Sequence, residues 1–240
     1  MVLKLQIDGV TVEAEKGESL IDVAWRHGFE IPSLCHHEAV APYGSCRLCL
    51  VEITRKGRKK ITTSCNYEVL PDIEVRTSTP EVERHRRMIL ELLLAEAPAS
   101  EPLRKLAKRL GVEATRLKPH EGNECIRCGL CVRICNEIVG VNAIGFHGRG
   151  DRKETAPPYK EPSELCIGCG ACVYACPTNC IRLVEKDGMR EIVRWGRKLP
   201  IATDENGRPL APRFQLRYFQ ELVDLPKDFY KKAPGDRGID

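Results

Sequence analysis

The sequence is poor in the residues that usually fill a large core. Aromatics make up 5% of its 240 residues, there are three methionines, and hydrophobic residues reach 42%. A chain that packs around something other than its own side chains can manage with less apolar material. Long apolar runs are also missing. The longest, around Met88–Ala97, is interrupted by Glu91 and Glu96 and is far too short to span a bilayer. Met1 leads straight into an alternating stretch, Val2–Ile7, so no basic segment followed by an apolar one predicts a secretory leader. No excess of one charge exists: 38 basic residues face 34 acidic ones, a net charge of +4. That is too weak for a nucleic-acid partner. The short basic clusters Arg55–Lys60 and Arg84–Arg87 read as solvated surface. Neither a G-x-G-x-x-G fingerprint nor a P-loop occurs, so the chain is expected to bind no NAD(P) or flavin of its own.

What the sequence does have is cysteine, thirteen of them, in groups at 35–65, 125–135 and 166–180. Without a leader the expected setting is reducing and cytoplasmic. Grouped cysteines there are metal ligands more often than disulfides.

The last two groups carry the strongest signal. Cys125-x2-Cys128-x2-Cys131-x3-Cys135 is followed by Cys166-x2-Cys169-x2-Cys172-x3-Cys176-Pro177. This is the two-cluster ferredoxin pattern, in which the fourth cysteine of each run ligates the other cluster. It assigns Cys125, Cys128, Cys131 and Cys176 to one [4Fe–4S] cluster, and Cys135, Cys166, Cys169 and Cys172 to a second. Two-residue gaps let the chain wrap three thiolates around one face of a cube, and Gly129, Gly168 and Gly170 permit close approach. Paired zinc sites are the competing reading, but zinc ribbons use two CxxC pairs per metal rather than one four-cysteine run. Asn136 stands where a proline usually follows the fourth cysteine.

Cys35-x10-Cys46-x2-Cys49-x15-Cys65 supplies four more thiolates, two per iron of a [2Fe–2S] cluster. This spacing is less specific, and a zinc site could use four cysteines too. Cys180 is left over and reads as a small packing residue. His36 and His37 follow a ligand, but no Rieske pairing is present; these two, His120 and His147 read as surface residues or neighbours of ligands. All metal is thus expected to be iron held by twelve of the thirteen cysteines, with no catalytic residue.

The expected fold class is α+β. Residues 2–7 and 10–15 alternate around Asp8-Gly9, a hairpin signal. Ser19 caps a short helix stopped by Gly28. Strands are expected at 48–54, 60–64 and 73–77, giving a β-grasp [2Fe–2S] domain over 1–79. A helical linker over 80–118 follows: after Pro80, one helix runs from Glu81 to about Glu96 with Met88, Leu92, Leu93 and Ala95 as its apolar stripe, and a second spans 103–110. A two-[4Fe–4S] ferredoxin domain is expected over 119–185, with 148–163 as a surface loop. An extended C-terminal tail over 186–240 carries no motif and is expected to contact a partner.

Ile31-Pro32-Ser33-Leu34-Cys35-His36-His37, Tyr43-Gly44-Ser45-Cys46-Arg47-Leu48-Cys49 and Cys131-Val132-Arg133-Ile134-Cys135-Asn136-Glu137 resemble one family. It is the N-terminal iron–sulfur module of the complex I large subunit, of [FeFe]-hydrogenase α subunits and of NAD-dependent formate dehydrogenase α subunits. Val141–Phe146 with Arg149-Gly150 fits the hydrogenase and formate dehydrogenase branch. The resemblance covers roughly residues 1–185. It departs in two ways: no His-x3-Cys-x2-Cys-x5-Cys motif lies in Leu92–Leu110, and no large catalytic domain follows before Asp240. The resemblance implies a diaphorase-type electron-transfer subunit, not itself catalytic, of an NAD(P)-linked or bifurcating hydrogenase or formate dehydrogenase. Its implied partners are a flavin/NAD(P)-binding iron–sulfur subunit and a catalytic redox subunit, with ferredoxin a further candidate. A cluster-bearing regulatory protein and a free ferredoxin-like carrier are the alternatives.

Overall fold

The computed structural model describes residues 2–201. They form two compact units. One takes in the chain up to Glu38 together with Pro42–Cys128; the other takes in Ala39–Ala41 and the chain from Gly129 onward.

The first unit is built on a five-stranded sheet. Strands β1 (Val2–Ile7) and β2 (Val10–Glu15) form the expected antiparallel hairpin. Asp8 and Gly9 both take positive φ at its turn, +48° and +85°, as a two-residue primed turn requires. The Asp8 carboxylate accepts the Thr77 amide at 2.9 Å. Strands β3 (Leu50–Arg55), β4 (Arg58–Thr63) and β5 (Glu74–Arg76) complete the sheet in the order β2-β1-β5-β3-β4, with β1 and β5 parallel. Helix α1 (Leu20–Arg26) starts where the Ser19 hydroxyl accepts the Asp22 amide. Its Leu20, Ile21, Val23 and Ala24 pack with Leu3, Leu5, Ile7, Val51, Ile53 and Val75 in one core. Each large side chain buried there contributes about 1.5–3 kcal/mol.

Helix α2 (Pro80–Glu96) begins one residue before the expected Glu81, with Thr79 as N-cap and Pro80 in its first turn. Its buried face differs from the expected stripe. Val82, Arg86, Leu90 and Leu94 face inward at strict four-residue spacing, while Met88 and Leu92 are 42% and 50% exposed. Arg86 is the reason. Its guanidinium donates to the carbonyls of Leu50 and Thr77, the latter at 2.9 Å, so a charged residue occupies a core position. The cluster Arg84–Arg87 is therefore not wholly solvated surface. Burial pulls Arg86 down to about 10. Helix α3 (Glu101–Arg109), capped by Ser100, packs on α2.

The second unit repeats a small theme. Helix α4 (Leu130–Arg133) follows Gly129 and helix α5 (Ala171–Tyr174) follows Gly170, each glycine left-handed at φ +73° and +74°. After α4 the chain runs on through a π-type turn, Ile134–Ile138. Asn136 allows this, because a proline there would remove an amide and clash with the preceding turn. Pro177 ends the equivalent path after α5. Strands β6 (Gly145–His147) and β7 (Glu154–Ala156) pair antiparallel, so the expected 148–163 loop holds one strand.

Strands β8 (Leu183–Lys186), β9 (Met189–Ile192) and β10 (Arg197–Pro200) form an antiparallel sheet in the order β10-β9-β8. The expected extended tail therefore begins as folded sheet. Its strands are four residues each, too short for a clear alternating pattern. The rest of the tail expected to contact a partner lies outside the described residues. No helix among the described residues is long and apolar enough to cross a membrane.

Candidate metal centres

None of the thirteen cysteines is in a disulfide. In the first unit Cys35, Cys46, Cys49 and Cys65 are each at most 4% exposed. Cys35 lies on the loop after α1, Cys46 and Cys49 on the loop entering β3, and Cys65 just beyond β4. Gly44 and Arg47 both take positive φ, +67° and +60°, which curls the loop between them. A Cβ on Gly44 would stand 3.0 Å from Asn66 Nδ2. The Ser64 amide and hydroxyl both donate to the Cys49 carbonyl, at 2.8 and 2.9 Å, and tie the two ligand loops together.

The sulfurs meet. Cys46 and Cys65 donate side-chain hydrogen bonds that, with the amides of Cys46 and Ser45, hold Cys35 down to about 2. A bond from Cys65 likewise holds Cys49 down to about 7. The donors Cys46 and Cys65 are pushed up in return. Metal binding at such thiols would release the protons they keep. Beside them His36 Nε2 lies 2.7 Å from Asp22 Oδ1, and its ring packs on Trp25 at 5.5 Å between centroids. His36 and His37 are both buried, whereas His120 is exposed.

In the second unit Cys135, Cys166, Cys169 and Cys172 line one small cavity, walled by apolar side chains that include Ile192 and Trp195. The four are half-buried because they border that space. Burial pushes the Cys135 thiol up, Cys169 to about 11 and Cys172 well above its ordinary value. Thiolates here need a cation beside them, since no basic side chain lines the cavity. Donors already point at the sulfurs: the amides of Ala143 and Ile144 at Cys135, the amide of Ala171 at Cys169, and the Trp195 indole N–H at Cys172 Sγ, 3.3 Å away. Trp195 and the sheet that carries it lie beyond the last cysteine motif. Only the presence of a lone tryptophan close behind the ligand run could have pointed to them.

Cys131 and Cys176 belong to a neighbouring apolar cluster with Ile144, Ile181 and Trp195. Cys180 Sγ stands 3.5 Å from Cys176 Sγ, and the Thr178 hydroxyl is equally close. Hydrogen bonding from Cys180, then Thr178, holds Cys176 down to about 5. Cys180 is thus a partner of a predicted ligand. Cys125 and Cys128 are buried in the first unit, whereas Cys131 and Cys176 belong to the second. Asn123 holds the Cys125 loop by accepting the Cys125 amide at 3.1 Å and donating to the Glu96 and Cys125 carbonyls at 2.6 and 2.9 Å. The Arg127 amide donates to Cys125 Sγ at 3.4 Å.

Cysteine-only donor sets, buried and met by N–H groups, fit iron–sulfur clusters. Comparison with known proteins agrees. Residues 1–80 match the 2Fe-2S iron-sulfur cluster binding domain and residues 124–180 the 4Fe-4S dicluster domain. The chain is 31% identical over 207 residues to an NADH-quinone oxidoreductase subunit of Rhizobium meliloti, covering 75% of this chain and 24% of that protein. It is 33% identical over 202 residues to the NADPH-Fe(3+) oxidoreductase subunit alpha of Geobacter sulfurreducens, covering 74% and 24%. It is 30% identical over 226 residues to the NADP-reducing hydrogenase subunit HndD of Solidesulfovibrio fructosivorans, covering 80% and 37%. The chain therefore spans a quarter to just over a third of these curated relatives. Among solved structures, a chain of an NAD+-reducing [NiFe]-hydrogenase in the H2-reduced state superimposes with a TM-score of 0.58 at 30% identity, over 65% of this chain and 74% of that one. With a [2Fe–2S] ferredoxin domain followed by a [4Fe–4S] dicluster domain, the chain belongs to the iron–sulfur family that includes this NADH-quinone oxidoreductase subunit, the NADP-reducing hydrogenase subunit HndD and this hydrogenase chain.

Proposed function

We propose that this chain relays single electrons between a flavin/NAD(P)-handling subunit and a second redox subunit of a multi-subunit oxidoreductase of the hydrogenase or formate dehydrogenase type. Three clusters would supply the one-electron chemistry when bound. Cys35, Cys46, Cys49 and Cys65 hold the [2Fe–2S] cluster on a β-grasp domain over 1–79. Past a helical linker over 80–118, a ferredoxin domain over 119–185 holds two [4Fe–4S] clusters, one on Cys125, Cys128, Cys131 and Cys176, the other on Cys135, Cys166, Cys169 and Cys172. The chain itself binds no nucleotide or flavin and works in the cytoplasm.

One observation carries the reading. The cavity lined by Cys166, Cys169 and Cys172 takes its fourth thiol from Cys135, in the other run. That juxtaposition supports the crossed ligation expected of a two-cluster ferredoxin. The protein's own contribution is to keep water from the sulfurs, to aim N–H groups at them and to hold the ligand loops still. Anaerobic purification followed by iron and sulfide analysis tests the reading. The expected content is about 10 iron per chain, from 2 + 4 + 4. Stoichiometric zinc, or iron near four, would sink it.

A further inference from the structure

The three-stranded sheet β8–β10 grips the second ligand loop at several points. Arg197 Nε donates to the Cys166 carbonyl at 3.1 Å, and Arg190 donates to the Gly168 carbonyl at 3.4 Å. Leu199 Cδ1 stands 2.7 Å from where a Cβ on Gly168 would lie, and Leu183 Cδ1 stands 2.9 Å from the same position on Gly170. These two glycines have no room for a side chain because the sheet occupies that space. Between β9 and β10 the chain makes one tight turn, Val193–Trp195, and Gly196 at φ +62° sends it back. That turn puts Trp195, 4% exposed, into the cavity wall with its indole N–H on Cys172 Sγ.

The donor is unusual in kind. Cys135 and Cys169 are served by backbone amides, those of Ala143 and Ile144 and that of Ala171. Cys172 is served by a side chain that a separate sheet has to deliver. A hydrogen bond to a ligand sulfur stabilises the more negative, reduced state more than the oxidised one. We propose that Trp195 is a positioning and tuning residue that raises the reduction potential of the group held by Cys135, Cys166, Cys169 and Cys172, and that β8–β10 is the lid that seats it. The inference rests on the cluster reading above.

The test is an EPR-monitored redox titration of the full chain, wild type against Trp195→Phe, preceded by iron and sulfide analysis. Phenylalanine keeps an aromatic ring and removes the N–H. The expected result is full iron content, one [4Fe–4S] midpoint moved to a more negative potential, and the other two midpoints unchanged. Unmoved midpoints at full iron content overturn the inference. Should the variant lose iron, the wild type answers instead. With tryptophan labelled at the indole nitrogen with 15N, pulsed EPR should detect 15N coupling to one reduced [4Fe–4S] signal, retained in Trp25→Phe. No coupling overturns the proposal. A wild type with no [4Fe–4S] signal at all would instead defeat the cluster reading, so the two failures are told apart.

Discussion

Crossed ligation makes a prediction that pairs of variants can read. Cys135 lies on the π-type turn after α4, yet it borders the cavity of Cys166, Cys169 and Cys172. Serine at 135 keeps the shape but replaces a thiolate with a weak, harder donor. Cys135→Ser should lower iron from about 10 to about 6 per chain, the loss of one four-iron cluster. The single variant does not separate crossed from uncrossed ligation; the doubles do. Cys135→Ser with Cys169→Ser removes two ligands of one cluster, so iron should stay at about 6. Cys128→Ser with Cys135→Ser removes one ligand from each, so iron should fall to about 2. This is a double-mutant cycle with iron as its readout, and non-additivity marks the shared site. The assay is colorimetric iron and sulfide on anaerobic protein, with the [2Fe–2S] EPR signal as internal standard for folding. The reverse pattern, about 2 for the first double and about 6 for the second, would refute the crossed assignment.

Two further outcomes follow from the packing. Arg86→Leu strands the Leu50 and Thr77 carbonyls and should lower urea stability by about 2–6 kcal/mol, at about 1–3 per buried unsatisfied group; the exposed neighbour change Arg87→Leu should stay within about 0.5 kcal/mol, and equal effects would remove Arg86 from the core. Gly168→Ala puts a Cβ against Leu199 at a left-handed residue and should speed iron loss to a chelator, whereas Gly188→Ala, equally left-handed but in open space, should not; matched release rates would show that the sheet does not restrain the ligand loop.

Much of this was legible in the residues. The Asp8-Gly9 turn, the Ser19 cap and the helix start marked by Pro80 are local signals, and local geometry obeyed them. Tertiary facts were hidden. Nothing in Arg84–Arg87 marks Arg86 as buried, because the two carbonyls that accept it lie in other elements. Counting apolar residues then chose Met88 and Leu92 for the inner face of α2, away from the row that Arg86 joins. Residues 186–200 were unreadable for a different reason. A strand of four residues carries too few alternations to separate it from coil, and its pairing depends on partners a few residues away. Trp195 belongs to no motif; its role comes from a turn that only the folded sheet creates.

The departure at Asn136 shows why spacing alone underdetermines a site. The two ligand runs start alike, with a left-handed glycine and a four-residue helix. They part after the fourth cysteine. Asn136 keeps its amide, the helix continues as a π-type turn, and the Val141 amide returns to the Cys135 carbonyl at 3.2 Å. That return brings the amides of Ala143 and Ile144 to the Cys135 sulfur. Pro177 stops the helix instead, and Cys176 is met by the Thr178 hydroxyl and the Cys180 thiol, each at 3.5 Å. One fourth ligand is thus bonded by the backbone amides of Ala143 and Ile144, the other by side chains as well as by the amides of Thr178 and Cys180. Hydrogen bonds to sulfur are among the levers that set a cluster's potential. On the cluster reading, a duplicated sequence pattern therefore yields two unlike electronic environments, and unequal potentials bias which of the two clusters holds the electron as it passes along the relay.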